Sequence, residues 1–138
     1  FEAIWQATEK LTLTSNFALQ KSTDETLDAP AAKSPEKQLY LRADWNLASD
    51  WRVNLQANWV MGRNRISADL RPAIDDYALV DLSVRKVLNN SLELALTVNN
   101  LFDEDAREPS PNSDPMPFIP NDLPLSGRTV LGEIRYSF

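Results

Sequence analysis

The chain has 138 residues, enough for one ordinary domain, and carries 14 Lys and Arg against 20 Asp and Glu, a formal net charge of −6. It contains no cysteine and no histidine, which excludes a disulfide framework, thiolate metal sites, the commonest general base and the usual axial haem ligand. The acidic balance argues against nucleic acid as a partner, and no apolar run reaches the roughly 18 residues of a membrane-spanning helix.

Three proline-rich segments divide the chain. All nine prolines fall near residues 22–37, 64–76 and 102–125, and these segments also hold 13 of the 20 acidic residues. Because proline cannot donate a hydrogen bond to a strand ladder, we expect all three segments to be loops.

Runs of alternating apolar and polar residues fill the stretches between these loops. Leu92, Leu94, Leu96 and Val98, for example, share one face of a predicted strand, since side chains of a strand alternate between its faces. In the first run it is ambiguous which alternate residues form the apolar face. The second run alternates more weakly than the others. In chain order, the predicted strands cover residues 1–8, 11–20, 39–47, 51–61, 77–87, 91–98 and 129–138.

Short turns near residues 8–10, 48–50 and 88–90 alternate with the long loops. This order predicts an all-β, antiparallel up-and-down sheet of about seven strands, each about long enough to cross a membrane at a tilt (roughly 9–11 residues). Tight turns at one end of the sheet and long loops at the other are typical of outer-membrane barrels.

Aromatic side chains near the strand ends also favour a membrane barrel over a soluble sheet. Trp45, Trp51 and Phe138 lie near the short-turn end, whereas Phe17 and Trp59 lie near the loop end. Two such rows are expected to form the lipid-interface girdles of a barrel. Packing in an ordinary core would explain the same positions, so this pattern alone leaves both interpretations open.

The last predicted strand ends in an aromatic residue. In TVLGEIRYSF, Val130, Ile134, Tyr136 and Phe138 share one face, and Gly132 interrupts the apolar row without adding charge. This ending resembles the C-terminal signature of outer-membrane proteins. The resemblance implies that the terminal aromatic and the alternate apolar residues before it are read by the barrel-assembly machinery.

The segment YALVDLSVRKVLNNSLELALTVNNLFDED resembles the penultimate hairpin of TonB-dependent receptors. In that family a Y-x-L-V-D strand, a short turn and a V-x-N-L-F-D ending recur, and here these motifs begin at Tyr77 and Val98. The later segment IPNDLPLSGRTVLGEIRYSF is similar to the last loop and strand of the family. The match follows the strand order along the whole chain and is most specific over residues 76–138.

The resemblance implies that residues 1–138 are the C-terminal portion of a transmembrane β-barrel of about 22 strands, which encloses an N-terminal plug domain. We expect the plug and the upstream strands to precede this chain, because seven strands alone would leave two open edges in lipid. The family implies a bacterial outer-membrane location, a periplasmic C-terminus and long loops outside the cell. Its partners would be the TonB complex, reached through the plug, the barrel-assembly machinery, outer-membrane lipid and lipopolysaccharide, and a transported ligand such as an iron chelate.

Two loop arginines are the candidate ligand contacts. Arg107 and Arg128 carry guanidinium forks that match carboxylates, although lipopolysaccharide or neighbouring loops would suit them equally. The acidic side chains within residues 103–108 could hold a calcium ion. They lack the ligand spacing and glycine of a known calcium loop, so a solvated loop is the favoured interpretation.

Charged residues on the polar faces of the strands have two interpretations. They either contact plug or ligand, or form a solvated salt-bridge network on the barrel wall, and we favour the network because charges usually find partners or water. These residues are Arg42, Asp44, Arg52, Asp81, Arg85, Glu93, Glu133 and Arg135.

Three functional hypotheses remain. The first is active, TonB-driven uptake of a scarce ligand, and the resemblance implies a ferric siderophore or another metal chelate as the cargo. This hypothesis includes no enzymatic activity, cofactor or resident metal, since the sequence offers no histidine, cysteine or glycine-rich phosphate loop. The second is another outer-membrane barrel, either a passive porin or a lipid-modifying enzyme, and an upstream plug would discriminate the two. The third is a soluble β-sandwich that binds glycans through exposed Trp, which would remain monodisperse without detergent.

Overall fold

The computed structural model describes residues 1–24, 29–30, 34–65, 69–110, 119 and 121–138. None of these residues belongs to a helix long and apolar enough to cross a membrane. The strands, in chain order, are β1 (Glu2–Thr8), β2 (Leu11–Leu19), β3 (Thr23–Asp24), β4 (Ala29–Pro30), β5 (Pro35–Ala48), β6 (Trp51–Arg63), β7 (Tyr77–Asn89), β8 (Leu92–Asn99), β9 (Arg107–Glu108), β10 (Leu123–Pro124) and β11 (Thr129–Tyr136).

Seven strands form one antiparallel sheet in the order β1-β2-β5-β6-β7-β8-β11. Consecutive long strands are therefore neighbours, which confirms the predicted up-and-down topology. The pairs β1–β2, β5–β6 and β7–β8 are joined by tight turns at one end of the sheet. The pairs β2–β5, β6–β7 and β8–β11 are joined by the long loops at the other end.

The predicted loops contain more pairing than the prolines suggested. Two short pairs, β3–β4 and β9–β10, lie inside the first and third loops, and Pro30 and Pro124 belong to them. β5 begins at Pro35, inside the predicted loop 22–37. Proline is tolerated at the first residue of a strand and in edge pairs, where its missing N–H breaks no ladder.

The register aligns an apolar row across all seven strands. Residues directly opposite each other share a face, and the row on one face is apolar at every position. Leu55 at its centre is 42% exposed, and no second layer of described residues covers this face. The row consists of Trp5, Leu13, Ala43, Leu55, Leu82, Val98 and Val130.

The same register shows which residues of the first strand lie on the apolar face. Trp5 pairs with Leu13 on the apolar face, whereas Ile4 pairs with Thr14 on the polar face. Ile4 and Leu131 are 69% and 63% exposed, and they are apolar residues on the polar face of the two edge strands. The period-two alternation therefore weakens at both edges of this seven-stranded sheet.

Hydrogen bonds run across the middle of the polar face. Asp44 accepts from Arg42 Nη2 (2.8 Å) and from Asn54 Nδ2 (2.7 Å). On the next strands, Gln56 Nε2 donates to Asp81 Oδ2 (2.9 Å). Arg42 and Asp44 are two of the charged residues for which the sequence predicted a salt-bridge network, and their pair is one link of it.

A second group of charges lies toward the short turns. Glu93 accepts hydrogen bonds from Arg85 and from Arg135 Nη1, the latter at 3.3 Å. Arg135 also donates to Glu133 (2.9 Å). The side chains of this group remain partly exposed, so each pair contributes little to stability by itself.

The small core lies at the loop end of the polar face. Val60 and Tyr77 are opposite each other on β6 and β7, and Ala106 from the third loop packs with them. Leu79 and Leu125 pack against this cluster. The third loop therefore folds back over the polar face instead of extending away from the sheet.

Candidate ligand-binding cavity

Asn100 fixes the start of the third loop. It is 4% exposed and adopts a φ of 50°, a left-handed conformation that Asn tolerates better than most residues. Its backbone N–H donates to Asp81 Oδ1 (2.8 Å). Its side-chain Nδ2 donates to Glu104 O (2.9 Å) and Ser126 O (3.3 Å), and its Oδ1 accepts from Glu104 N–H (2.8 Å). The side chain of Asn100 thus joins the two ends of the loop, and its backbone N–H attaches them to β7.

Asp103 completes this clamp. Its backbone N–H donates to Asn100 O (2.9 Å), and its Oδ1 accepts from Arg128 N–H (2.8 Å). A Cβ at Gly127 would lie 3.3 Å from the same oxygen, so a glycine there allows the close approach. The N-L-F-D residues that carried the family resemblance therefore hold the loop closed on itself.

An arginine–aspartate network joins the second and third loops. Arg65 places both terminal nitrogens on Asp122, at 2.7 and 2.6 Å, although the two residues are 57 positions apart. Arg71 binds Asp69 at 2.6 Å and also donates to Ser110 Oγ (2.7 Å). Paired forks of this kind fix geometry as well as charge. The four residues define the loop network: Arg65, Asp69, Arg71 and Asp122.

Neighbouring arginines keep both acids of the loop network ionised. The Arg71 hydrogen bonds lower the pKa of Asp69 from 3.8 to about 2. The Arg65 fork holds the pKa of Asp122 well below its usual range, aided by the backbone N–H of Ser110. The Asp69 side chain is 3% exposed, so solvent competes little for this contact.

Arg63, the last residue of β6, binds both loops. Its side chain has no exposed surface, and its guanidinium stacks on the Tyr77 ring, 4.5 Å from the centroid. It donates to the carbonyl oxygens of Asp75 and Arg107, one from each loop. Tyr77 in turn donates to Glu108 (2.7 Å). Arg63 thus holds both loops at the end of β6, and Tyr77 adds a contact from the start of β7 to the third loop.

A cavity of about 670 Å³ opens between the two loops. This volume is within the range of pockets that hold small molecules, about 300–1,000 Å³. Its lining is predominantly charged and polar. The residues that line it are Arg65, Arg71, Pro72, Ala73, Ile74, Asp75, Asp76, Tyr77, Glu104, Asp105, Ala106, Arg107, Asn121 and Asp122.

The two predicted ligand contacts lie in this region with different roles. Arg107 lines the cavity, but its guanidinium pairs with Asp105 (3.1 Å) and donates to Asn121 O (2.8 Å). Arg128 pairs with Asp103 at 3.9 Å. Both guanidinium groups thus bind carboxylates of their own loop, whereas the sequence left a ligand, lipopolysaccharide or neighbouring loops as the alternatives. Their contact with a ligand stays a prediction.

The acidic side chains of residues 103–108 point to separate partners. Asp103 binds the Arg128 backbone, Asp105 binds Arg107, and Glu108 binds Tyr77. Among the described residues, no group of three or more acidic side chains is arranged to hold a metal ion.

Four of the five aromatics predicted near the strand ends lie on the apolar face of β2, β5 and β6 in two rows. Trp45 and Trp51 are near the short turns, and Phe17 and Trp59 are near the loops. Eight positions separate Trp51 from Trp59, about 27 Å along the strand, or about 20 Å across a membrane at a tilt of about 40°. Lys86 Nζ lies 4.7 Å above the Trp51 ring, where a lysine can reach the headgroup level. Their lipid contact stays a prediction.

The predicted assembly signature occupies the edge strand β11. Val130, Ile134 and Tyr136 are on the apolar face and are 60–75% exposed. Phe138 is fully exposed, and its ring meets Tyr136 edge-on at a centroid distance of 5.2 Å. Recognition of these residues by the assembly machinery stays a prediction.

The fold and the cavity together define a class of protein. A single antiparallel sheet has one apolar face that the described residues leave uncovered, and a polar face laced with hydrogen bonds. Tight turns occupy one end, and loops folded over the polar face occupy the other. This arrangement is a segment of a transmembrane β-barrel with a polar interior.

The family follows from a direct comparison. Residues 1–101 match the family model described as TonB dependent receptor-like, beta-barrel, and the chain belongs to this family. No curated protein matches the chain.

Solved structures show the same fold at low sequence identity. A mutant of the ferric enterobactin receptor PfeA from Pseudomonas aeruginosa is 17% identical, with a TM-score of 0.77, over 99% of this chain and 21% of that one. The ferric-catecholate import receptor Fiu from K12 E. coli is 21% identical, with a TM-score of 0.75, over 99% and 20%. The copper transporter OprC is 19% identical, with a TM-score of 0.73, over 99% and 22%. The chain thus spans about a fifth of the length of these proteins.

Proposed function

We propose that the protein containing this chain is an outer-membrane receptor that takes up a ferric siderophore or another metal chelate, driven through TonB. The observation that carries the proposal is the cavity at the loop end of the polar face, in a chain that belongs to the TonB-dependent receptor family. One of the similar structures is named for ferric enterobactin, a second for a ferric catecholate and a third for copper, which supports a metal-bearing cargo.

Each part of the chain has a role in this proposal. The seven strands are the scaffold, and the loops contribute part of the surface that captures the ligand. An N-terminal plug, reached by TonB from the periplasm, would move to admit the ligand. The protein is a transporter and not an enzyme, with its C-terminus in the periplasm and its loops outside the cell.

The remaining partners follow from the two faces. Outer-membrane lipid and lipopolysaccharide would contact the apolar row and the aromatics Phe17, Trp45, Trp51 and Trp59. The barrel-assembly machinery would read the end of β11 during insertion.

Uptake in cells tests the proposal. A strain that lacks its own chelate receptors would express the full-length protein, with and without TonB, and accumulation of ⁵⁵Fe would be measured from a panel of ferric catecholates and hydroxamates. We expect accumulation of at least one chelate only when both the protein and TonB are present. Entry that persists without TonB would favour a passive porin, and an absence of entry from every chelate would contradict the proposal.

A further inference from the structure

The charge of the cavity restricts the cargo further, and the following inference rests on the proposed function. The cavity is lined by three arginines, which at first suggest an anionic ligand. Each guanidinium is already occupied by a carboxylate. Arg65 binds Asp122 (2.6 Å), and Arg71 and Arg107 bind the aspartates two positions before them.

Three other carboxylates that line the cavity are not paired with an arginine. Asp75, Asp76 and Glu104 form no salt bridge with any described residue, and all three are exposed. Asp76 Oδ1 accepts one neutral hydrogen bond, from the Gly62 N–H (2.8 Å). The lining therefore presents unneutralised negative charge and no unneutralised positive charge among the residues described there.

The three long loops as a whole carry a net negative charge, as the cavity lining does. Residues 20–34, 64–76 and 100–128 carry 6 Lys and Arg against 12 Asp and Glu, whereas the rest of the chain carries 8 of each. The entire net charge of −6 thus lies in the three long loops. A loop surface of one sign raises the local concentration of oppositely charged ligands and repels ligands of the same sign.

We infer that this cavity selects a neutral or positively charged metal chelate and disfavours a polyanionic one. The carboxylates of Asp75 and Glu104 would face a cationic group of the ligand, while the paired arginines hold the two loops in place. An anionic chelate would have to displace Asp122, Asp69 or Asp105 from its arginine before it gained an ion pair. Such an exchange loses as many charge-assisted hydrogen bonds as it forms.

Binding of three ferric chelates to the purified full-length receptor tests this inference. The probes are a trianionic tris-catecholate, a neutral trihydroxamate, and the same trihydroxamate carrying one free ammonium group. We expect the ammonium chelate to bind tightest and the tris-catecholate weakest, with the difference shrinking as salt is added. Dissociation constants by isothermal titration calorimetry at low and physiological ionic strength give the order.

Charge-neutralising variants locate the effect in this cavity. The isosteric double variant Asp75→Asn, Glu104→Gln should weaken binding of the ammonium chelate on the order of threefold to tenfold per charge and leave the neutral one unchanged. Glu9→Gln makes the same change at the opposite end of the sheet and should have no effect. Tightest binding of the tris-catecholate, or an equal response of all three chelates to the double variant, would overturn the inference.

The outcome for the proposed function is separate. TonB-dependent uptake of the tris-catecholate in preference to the other two chelates would support the transport role while overturning the charge selectivity. Failure of all three chelates to bind the full-length receptor would overturn both.

Discussion

Replacement of Asn100 by Ala should loosen the third loop, because the Asn100 side chain joins the two ends of that loop. Asn100 is buried at a φ of 50° and contributes three side-chain hydrogen bonds to Glu104 and Ser126. Ala would remove all three bonds and leave their backbone partners without that side chain. It would also occupy a left-handed conformation that an ordinary L-residue adopts at a cost.

The expected change in the free energy of loop opening follows from the lost hydrogen bonds and the left-handed backbone conformation. The two shorter hydrogen bonds contribute about 0.5–1.5 kcal/mol each, and the left-handed backbone adds about 1 kcal/mol for Ala. The loop should therefore open more readily by about 2–4 kcal/mol, which is about a 30- to 1,000-fold rise in the open population. Asn100→Gly should show a smaller effect, because glycine adopts the left-handed conformation freely and loses only the hydrogen bonds.

Hydrogen exchange of the full-length receptor in detergent measures this opening. The backbone N–H groups of Leu125 and Arg128, bonded to Ala106 O and Asp103 Oδ1, report loop closure without touching the substituted side chain. Asn99→Ala is the matched control, because the neighbouring asparagine is exposed and makes one side-chain contact, to Thr129. Equal exchange rates in the Asn99 and Asn100 variants would refute the clamp.

Leu55→Lys in the apolar row should lower the free energy of unfolding by about 2–4 kcal/mol, measured by urea unfolding from lipid vesicles. Asn54→Lys on the polar face should lower it far less. Equal losses would contradict the assignment of the two faces. Gly62→Ala should destabilise the receptor by about 1–2 kcal/mol, because Gly62 has a φ of 66°; an unchanged urea midpoint would contradict this reason. The contact of Asp69 should persist as the pH falls to about 4 and then weaken, since its stabilisation is present above the ordinary pKa of 3.8 and is lost as the pH falls through about 2. The exchange rates must first be corrected for the intrinsic pH dependence of amide exchange. A loop-opening population that rises as the pH falls from 7 to 5 would then contradict this pairing.

The strands were predictable because their signal is local. Alternation with a period of two is visible within one strand, and Leu92–Val98 or Trp51–Met61 reveal it without any partner. The register follows from the same pattern, since a slip of one residue would place Leu55 among the polar side chains of its neighbours. The parity of β1 could not be read, because Ile4 is apolar on the polar face and only its pairing with Thr14 assigns it.

The loop network could not be predicted in the same way. Arg65 and Asp122 are 57 positions apart, and nothing near either residue in the sequence indicates the other. The sequence makes Arg107 a candidate anion contact, with lipopolysaccharide and neighbouring loops as alternatives, and its pairing with Asp105 becomes visible only when the loop conformation is known. A useful signal was present in the excess of acidic residues in the proline-rich segments, which predicts that arginines there will find carboxylates.

The N-L-F-D motif illustrates a third case. The sequence identified Asn100 and Asp103 through a family resemblance, without a physical reason for either residue type. The structure supplies the reason, because both residues have positive φ angles and both bind backbone groups of the same loop. Asn and Asp are among the few residues other than glycine that adopt this conformation readily.

The central claim is that the apolar row faces lipid while the alternate residues face an enclosed aqueous interior. The chain has no cysteine, so single spin-labelled cysteines at positions 53–58 of β6 can be placed in the full-length receptor in lipid vesicles without a competing thiol from this chain. We predict that labels at Val53, Leu55 and Ala57 are accessible to oxygen. Labels at the three polar-face positions, Asn54, Gln56 and Asn58, are expected to be accessible to a polar nickel reagent. Uniform accessibility along the strand, or the reverse alternation, would contradict the account.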